Sequence, residues 1–305
     1  MQDEKVLMSD IAVLYYEKGH TQQEIAHAFG LSRQTVSRLL NDAVNTHIVE
    51  ITVHDPKRDC TVLETRLCDA FGIERAVVCP AGHSGDSIRQ LKTVKAAASY
   101  LAPIVQQNRL RIAVSWGRTI EAVIEELPQL STVGNVVFPL FGATDHDKTY
   151  FSSNELARGF ADKIGAAVRY AWFPYLPDNA KDCELFRKTS YFKKAQELWK
   201  TIDLAVVGIG DTSVLELFGK TFGYQEKHDE IIGDVATHFF TQDGTCIDLY
   251  RNTLCADADS LKDAKTTVAV ACGRGKVYAI RGALRTGLIN VLVTDEHTAK
   301  ELLEN

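Results

Sequence analysis

Thr21-Gln22-Gln23-Glu24-Ile25-Ala26-His27-Ala28-Phe29-Gly30-Leu31-Ser32-Arg33-Gln34-Thr35-Val36-Ser37-Arg38-Leu39-Leu40 is the stretch from which the N-terminal fold of this 305-residue chain can be read. Thr21 precedes Glu24 by three positions, the spacing at which the two side chains reciprocally satisfy free N–H groups at a helix start. The helix that begins there covers Gln22 to Phe29 and stops at Gly30, which can take the positive φ of a sharp turn. Ala26 is small enough for a close crossing, Leu31 fills the corner, and Ser32 is a suitable N-cap for the next helix.

On that next helix Val36, Leu39, Leu40 and Ala43 share one face, while Arg33, Gln34, Ser37, Arg38 and Asn41 share the other. Arginine can bond guanine bidentately, glutamine or asparagine can bond adenine, and serine or threonine suits base edges or phosphates, so the outer face has the chemistry of a major-groove reader. Any surface helix turns polar residues outward, but the short helix–glycine–helix spacing favours a helix-turn-helix. The DNA-contacting set read from it is Thr21 and Gln22 at the second helix, with Arg33, Gln34, Thr35, Ser37 and Arg38 on the third.

Upstream, Leu7, Ile11, Leu14 and Tyr15 recur at helical spacing and predict a first helix ending near Lys18 and Gly19. Downstream, Ile48, Glu50-Ile51 and Val53 alternate as a short wing or strand would. The charged turn Asp55-Pro56-Lys57-Arg58-Asp59 carries no apolar residue and marks a linker. The boundaries read from this are a reader over residues 1–54, a linker over 55–60 and a larger domain over 61–305. Val62, Leu63, Leu67 and Phe71 form a helix face at the start of that domain; its partner is the domain itself or a second subunit, the former being favoured.

Seven β-branched runs then alternate with amphipathic stretches: residues 75–79, 110–116, 135–140, 168–173, 204–209, 267–272 and 290–294. Short apolar strands joined by helices predict a doubly wound parallel α/β sheet. Several end in glycine before a helix or loop, in Ser115-Trp116-Gly117-Arg118-Thr119, Val207-Gly208-Ile209-Gly210-Asp211 and Ala271-Cys272-Gly273-Arg274-Gly275-Lys276. Such ends share the sheet edge where ligands bind and helix N-termini offer N–H groups to anions. Arg118, Arg274 and Lys276 add positive charge there and Thr119 a hydroxyl, a setting for a small oxygen-rich or phosphorylated ligand. A glycine after a strand is often only a tight turn, and it is the recurrence that gives the reading weight. Ser213 and Tyr278 stand where a dinucleotide fingerprint needs its third glycine, and there is no Walker A sequence, so neither NAD nor ATP is expected as a cofactor.

Composition narrows the class. With 45% hydrophobic and 24% charged residues the chain reads as an ordinary globular protein. Its net charge of −6 argues against indiscriminate coating of nucleic acid. Residues 1–58 carry six Lys and Arg against eight Asp and Glu, so DNA reading has to rest on geometry. The seven cysteines show no C-x-x-C pair or zinc spacing and read as reduced thiols, with no metal site. Met1 to Asp10 lacks a signal sequence and no apolar run is long enough to span a membrane, so a cytoplasmic protein without membrane partners is expected.

Leu31 to Leu40, Val114 to Thr119, Val207 to Gly210, Gly233-Asp234-Val235 with Phe239-Phe240, Gly273 to Lys276, Gly282-Ala283-Leu284 and Thr294-Asp295 together resemble the SorC family of bacterial sugar-responsive transcriptional regulators over nearly the whole chain. The resemblance implies a winged-helix-like reader of double-stranded operator DNA joined to an effector domain related to sugar-phosphate isomerase and glucosamine-phosphate deaminase folds. It also implies a homo-oligomer, dimer or tetramer. The residues themselves offer no catalytic constellation, and no enzymatic activity is expected. Matching motifs would place Ser115, Gly117, Arg118, Thr119, Gly208, Gly210, Asp234, Gly273 and Lys276 around a sugar, polyol or sugar phosphate. Asp234 would accept from hydroxyls and Lys276 would pair with an anionic group.

Two positions depart from the family. His47 replaces a glycine before the wing. Phe141 stands where deoxyribonucleoside-type members carry a lysine able to condense with an aldehyde, so binding here is expected to be noncovalent. The rival reading is a sugar-phosphate isomerase or deaminase using Asp145, His146 and Asp147 as base and partner, although adjacent charged residues in a loop are more often a solvated turn. A third is a ligand-binding protein whose reader has lost DNA binding.

Overall fold

The computed structural model describes residues 2–49, 59–82, 84–144, 149–213, 230–247 and 252–304. The chain divides into two compact units, Met1–Lys57 and Arg58–Asn305.

The first unit is helical. Helix α1 (Gln2–Ala12) runs on through a π-helical turn, Val13–Glu17, in which the Lys18 N–H reaches back to the Val13 carbonyl at 3.1 Å. Helices α2 (Gln22–Phe29) and α3 (Arg33–Asn45) follow. Met8, Ile11, Ala12, Ile25, Ala26, Val36, Leu39, Leu40 and Ala43 form their shared core, with Leu14, Tyr15, Leu31, Ile48 and Val49 packed against it.

Ile48 does not begin a strand. His47, at φ +56, turns the chain back after α3, and the Ile48 and Val49 N–H groups both donate to the Ala43 carbonyl, at 2.9 and 3.0 Å. The rest of the predicted wing, residues 50–53, and most of the linker lie outside the described residues.

The second unit is built on a parallel sheet. Its strands are β1 (Arg75–Cys79), β2 (Arg111–Val114), β3 (Val136–Pro139), β4 (Ala167–Val168), β5 (Leu204–Asp211), β9 (Thr266–Val270) and β10 (Val291–Asp295), in the order β1-β10-β9-β5-β2-β3-β4. Every run predicted as a strand contributes one, but the fourth is cut short. The Asn154 side chain accepts from the Ala171 N–H at 2.9 Å and donates to its carbonyl at 3.1 Å, satisfying that backbone away from the ladder. Leu67 is fully buried beneath the first helix of the unit, Thr61–Phe71, while Val62 stays 69% exposed, so that helix packs on its own domain and leaves one apolar residue outside.

A feature absent from the sequence reading is an antiparallel ribbon of β6 (Gly233–Val235), β7 (His238–Phe240) and β8 (Cys246–Ile247), attached to the far end of β5 with Gly210 opposite Asp234. Gly233 permits that approach, since a Cβ there would lie 2.4 Å from the Gly210 carbonyl oxygen. The β6–β7 turn has only two residues, Ala236 and Thr237, both at positive φ, the backbone that matches hairpin twist.

Candidate functional site

After β2 the chain moves toward β3, and after β5 it returns through β9 toward β10. These neighbouring parallel strands therefore send their connections in opposite directions, which opens a crevice beyond their carboxyl ends. A cleft of about 360 Å³ lies there. Of the nine ligand candidates read from sequence, Ser115, Gly117, Arg118, Thr119, Gly208, Gly210, Asp234 and Lys276 line it. Gly273 does not; its N–H donates to the Thr298 hydroxyl at 2.8 Å.

Gly117 makes the turn from β2 into the helix Arg118–Glu126 at φ +118, a backbone side chains resist although there is open space beside it. Its N–H donates to the Tyr150 carbonyl at 2.7 Å, and among the described residues no side chain caps the helix start behind it. The helix therefore presents the uncapped first-turn N–H groups of an anion-accepting terminus. Ser115 is 2% exposed, donates to the Trp116 carbonyl at 3.1 Å and accepts weakly from the Gly208 N–H at 3.4 Å. Its hydroxyl thus ties β2 to β5 as well as lining the cleft.

On the opposite wall the ribbon carries Asp234 in beside Gly210. Burial pushes its carboxyl up to about 6, with the Asp211 charge adding to the rise and the Thr237 N–H and Lys276 opposing it. The Lys276 ammonium donates to the Ile209 carbonyl at 2.7 Å. Among the described lining residues Arg118 and Lys276 balance Asp211 and Asp234, so this lining is polar without strong net charge. Among its walls Trp116 packs on Phe141, with ring centres 4.3 Å apart, and on Tyr175 at 5.2 Å. Phe141 is wholly buried there, leaving no amine at that position.

Sequence reasoning passed over Gln90, Thr93, Tyr150, Asp211 and Ser213, which also line the cleft. Asp211 ends the Val207-to-Asp211 stretch and Ser213 lies two residues beyond it, so both were within reach of the same motif. Gln90 and Thr93 come from the helix Asp86–Val105 and Tyr150 from a short turn, with no local pattern to mark them. Asp145, His146 and Asp147 lie outside the described residues.

In the first unit the capping box is formed: the Thr21 hydroxyl accepts from the Glu24 N–H at 3.3 Å, and the Glu24 carboxylate accepts from the Thr21 N–H at 2.8 Å. That carboxyl is held below its usual range by the Thr21 backbone and side-chain hydrogen bonds. The Ser32 hydroxyl accepts from the Thr35 N–H at 3.0 Å to start α3. Arg33, Gln34, Arg38 and Asn41 are exposed, and Gln22, Thr35 and Ser37 half-buried. Thr21 and Ser32 are thus engaged in building the turn, while the outward residues of α3 form a polar row.

Residues 55–304 match the family model described as "Putative sugar-binding domain", and residues 8–46 match that of "Sigma-70, region 4". The chain is 31% identical over 317 residues to the sorbitol operon regulator of Klebsiella pneumoniae, with 99% of each covered. It is 29% identical over 314 residues to the deoxyribonucleoside regulator of Bacillus subtilis (strain 168), with 100% of this chain and 99% of the relative covered. Among solved structures, the full-length sorbitol operon regulator SorC from Klebsiella pneumoniae matches with a TM-score of 0.78 at 29% identity, covering 98% of each chain.

Proposed function

This chain belongs to the SorC family of sugar-responsive transcriptional regulators, its sugar-binding domain spanning residues 55–304, and from that premise we propose that it controls a carbohydrate-utilisation operon. The relatives matched end to end are regulators, and the chain is a regulator rather than an enzyme. In this reading the outward row of α3 reads double-stranded operator DNA. A small sugar, polyol or sugar phosphate binds noncovalently in the cleft at the β2–β5 switch point. The observation that carries it is that one chain combines a capped helix-turn-helix with a polar, anion-tolerant cleft at a sheet edge.

The proposed roles follow from chemistry. Asp234 and Asp211 accept from ligand hydroxyls, Lys276 and Arg118 meet an anionic group, and Gly117 leaves the helix N–H groups accessible. The protein acts in the cytoplasm as a dimer or tetramer, so that two readers meet successive major grooves and the effector changes the balance between oligomer conformations. No described helix is long and apolar enough to cross a membrane.

A thermal-shift screen of the full chain against free and phosphorylated sugars and polyols tests the effector half, since a ligand of the folded state raises the melting temperature. Gel shifts with DNA flanking its own gene, with and without the hits, test the other half. Failure of every sugar to shift melting, together with absence of a DNA shift at low salt, would overturn the reading.

A further inference from the structure

We infer that Asp42 is a specificity-determining residue of the DNA-reading helix, orienting the Arg38 guanidinium for one base pair; this role rests on the DNA-reading function proposed above. Arg38 lies in the outward row of α3, and its Nη1 donates to Asp42 Oδ2 at 3.3 Å, with the two side chains 62% and 40% exposed. Arg33, on the same row, has no ion pair among the described residues.

Helix energetics gives no reason to place a carboxylate at Asp42. The pair runs Arg then Asp at i,i+4, the less favourable order along a helix. Asp42 begins the last turn of α3, where a negative charge opposes the helix dipole. An exposed ion pair adds little stability. The carboxylate is also one of eight acidic residues, against six basic ones, in a segment, residues 1–58, that must approach phosphates. Its gain lies in geometry. The contact uses Nη1 alone and leaves the Nε and Nη2 donors as a two-pronged edge, the arrangement that bonds guanine O6 and N7. Holding that edge in place reduces the rotamer freedom lost on binding and penalises a base that cannot accept twice.

The test is sequence selection by full-length wild type, R38A, D42N and D42A on a randomised duplex library. Anisotropy titrations of each protein then use the wild-type-enriched duplex and a scrambled one at fixed salt. The expected result is that R38A loses base preference at one position and that D42A and D42N relax the same position alone. The enriched-to-scrambled affinity ratio should fall by about tenfold, on the scale of one bidentate contact, while scrambled-duplex affinity holds or rises. Unchanged preference at that position, with both affinities rising together, would assign Asp42 to phosphate repulsion and overturn the proposal. Enrichment of no sequence by the wild type would instead overturn DNA reading itself, and this role with it. Circular dichroism of α3-containing full chain separates loss of fold from loss of discrimination, because an unfolded reader loses every position at once.

Discussion

The Asp234 carboxylate accepts the Thr237 N–H at 2.9 Å across a turn in which Thr237 sits at φ +70. A β-branched residue resists that backbone, so the carboxyl that lines the cleft also fastens a strained hairpin.

Burial holds this group at about 6 against an ordinary 3.8, which fixes the sign of its pH dependence. With the folded value raised, the ionised form is disfavoured in the native state, and stability rises as pH falls from above 6 toward 4. Asp234→Asn keeps an acceptor for Thr237 and removes the titration. Wild type is therefore expected to gain stability between pH 7.5 and 5 by an amount the variant lacks, about 1 kcal/mol, with the remainder appearing only as pH falls on toward 4. Urea melts at the two pH values check this; equal pH responses would refute it.

The same group is expected to have the opposite effect on effector affinity. Hydroxyl donors favour a carboxylate over a carboxylic acid, so binding of a hit from the sugar screen should weaken below pH 6 in wild type. Calorimetric titration at pH 5 and 7.5 measures it.

Lys276 and Arg33 are expected to separate the two proposed activities. Lys276→Ala removes the cleft ammonium and should reduce effector affinity about tenfold or more, as loss of a charge-assisted contact does, with DNA binding kept. Arg33→Ala should weaken DNA binding and leave effector-induced thermal shifts intact. Joint loss in either variant would count against two separable sites.

At the opposite sheet edge, Asp203 meets Arg111 at 3.1 Å and Lys265 at 2.8 Å. Partial burial would raise its carboxyl, but hydrogen bonds from Arg111 and Lys265 outweigh that and hold it at about 2. A depressed folded value contributes stability above pH 3.8 that is lost as pH falls toward 2. Asp203→Asn should lower stability at pH 7 by about 2 kcal/mol and flatten the acid limb of the stability curve. Chemical denaturation at pH 7 and 3 reads both.

His47 holds a left-handed backbone at φ +56 that glycine adopts freely. His47→Gly should stabilise the first unit by about 0.5–1 kcal/mol, seen as a higher midpoint in helical signal; a lower midpoint would show that the imidazole is needed there.

The readable parts of the sequence were those set by local periodicity and capping. Thr21, Glu24, Gly30 and Ser32 act within three or four residues of themselves, and the parallel strands are continuous apolar runs, so both were visible. The β6–β8 ribbon was not, because strands of two or three residues carry too little alternation and Asp234 reads only as a motif. Val168 to Phe173 looked like a full strand until Asn154, from a separate helix, took over the backbone of Ala171. Most of the cleft was foreseen because glycines after parallel strands converge on one edge. Gln90 and Thr93 were not, since a helix after β1 reaches them across the sheet.

Trp116, 7% exposed against Phe141 and Tyr175, borders the cleft, whereas Trp172 is 63% exposed and Trp199 is sealed with its indole N–H on the Pro139 carbonyl at 3.0 Å. A soluble quencher therefore silences Trp172 first, and of the remaining emitters one adjoins the cleft. If the effector binds in the cleft as proposed, occupancy should become an optical signal of the unlabelled protein, making the molecule its own fluorescent sensor for that metabolite.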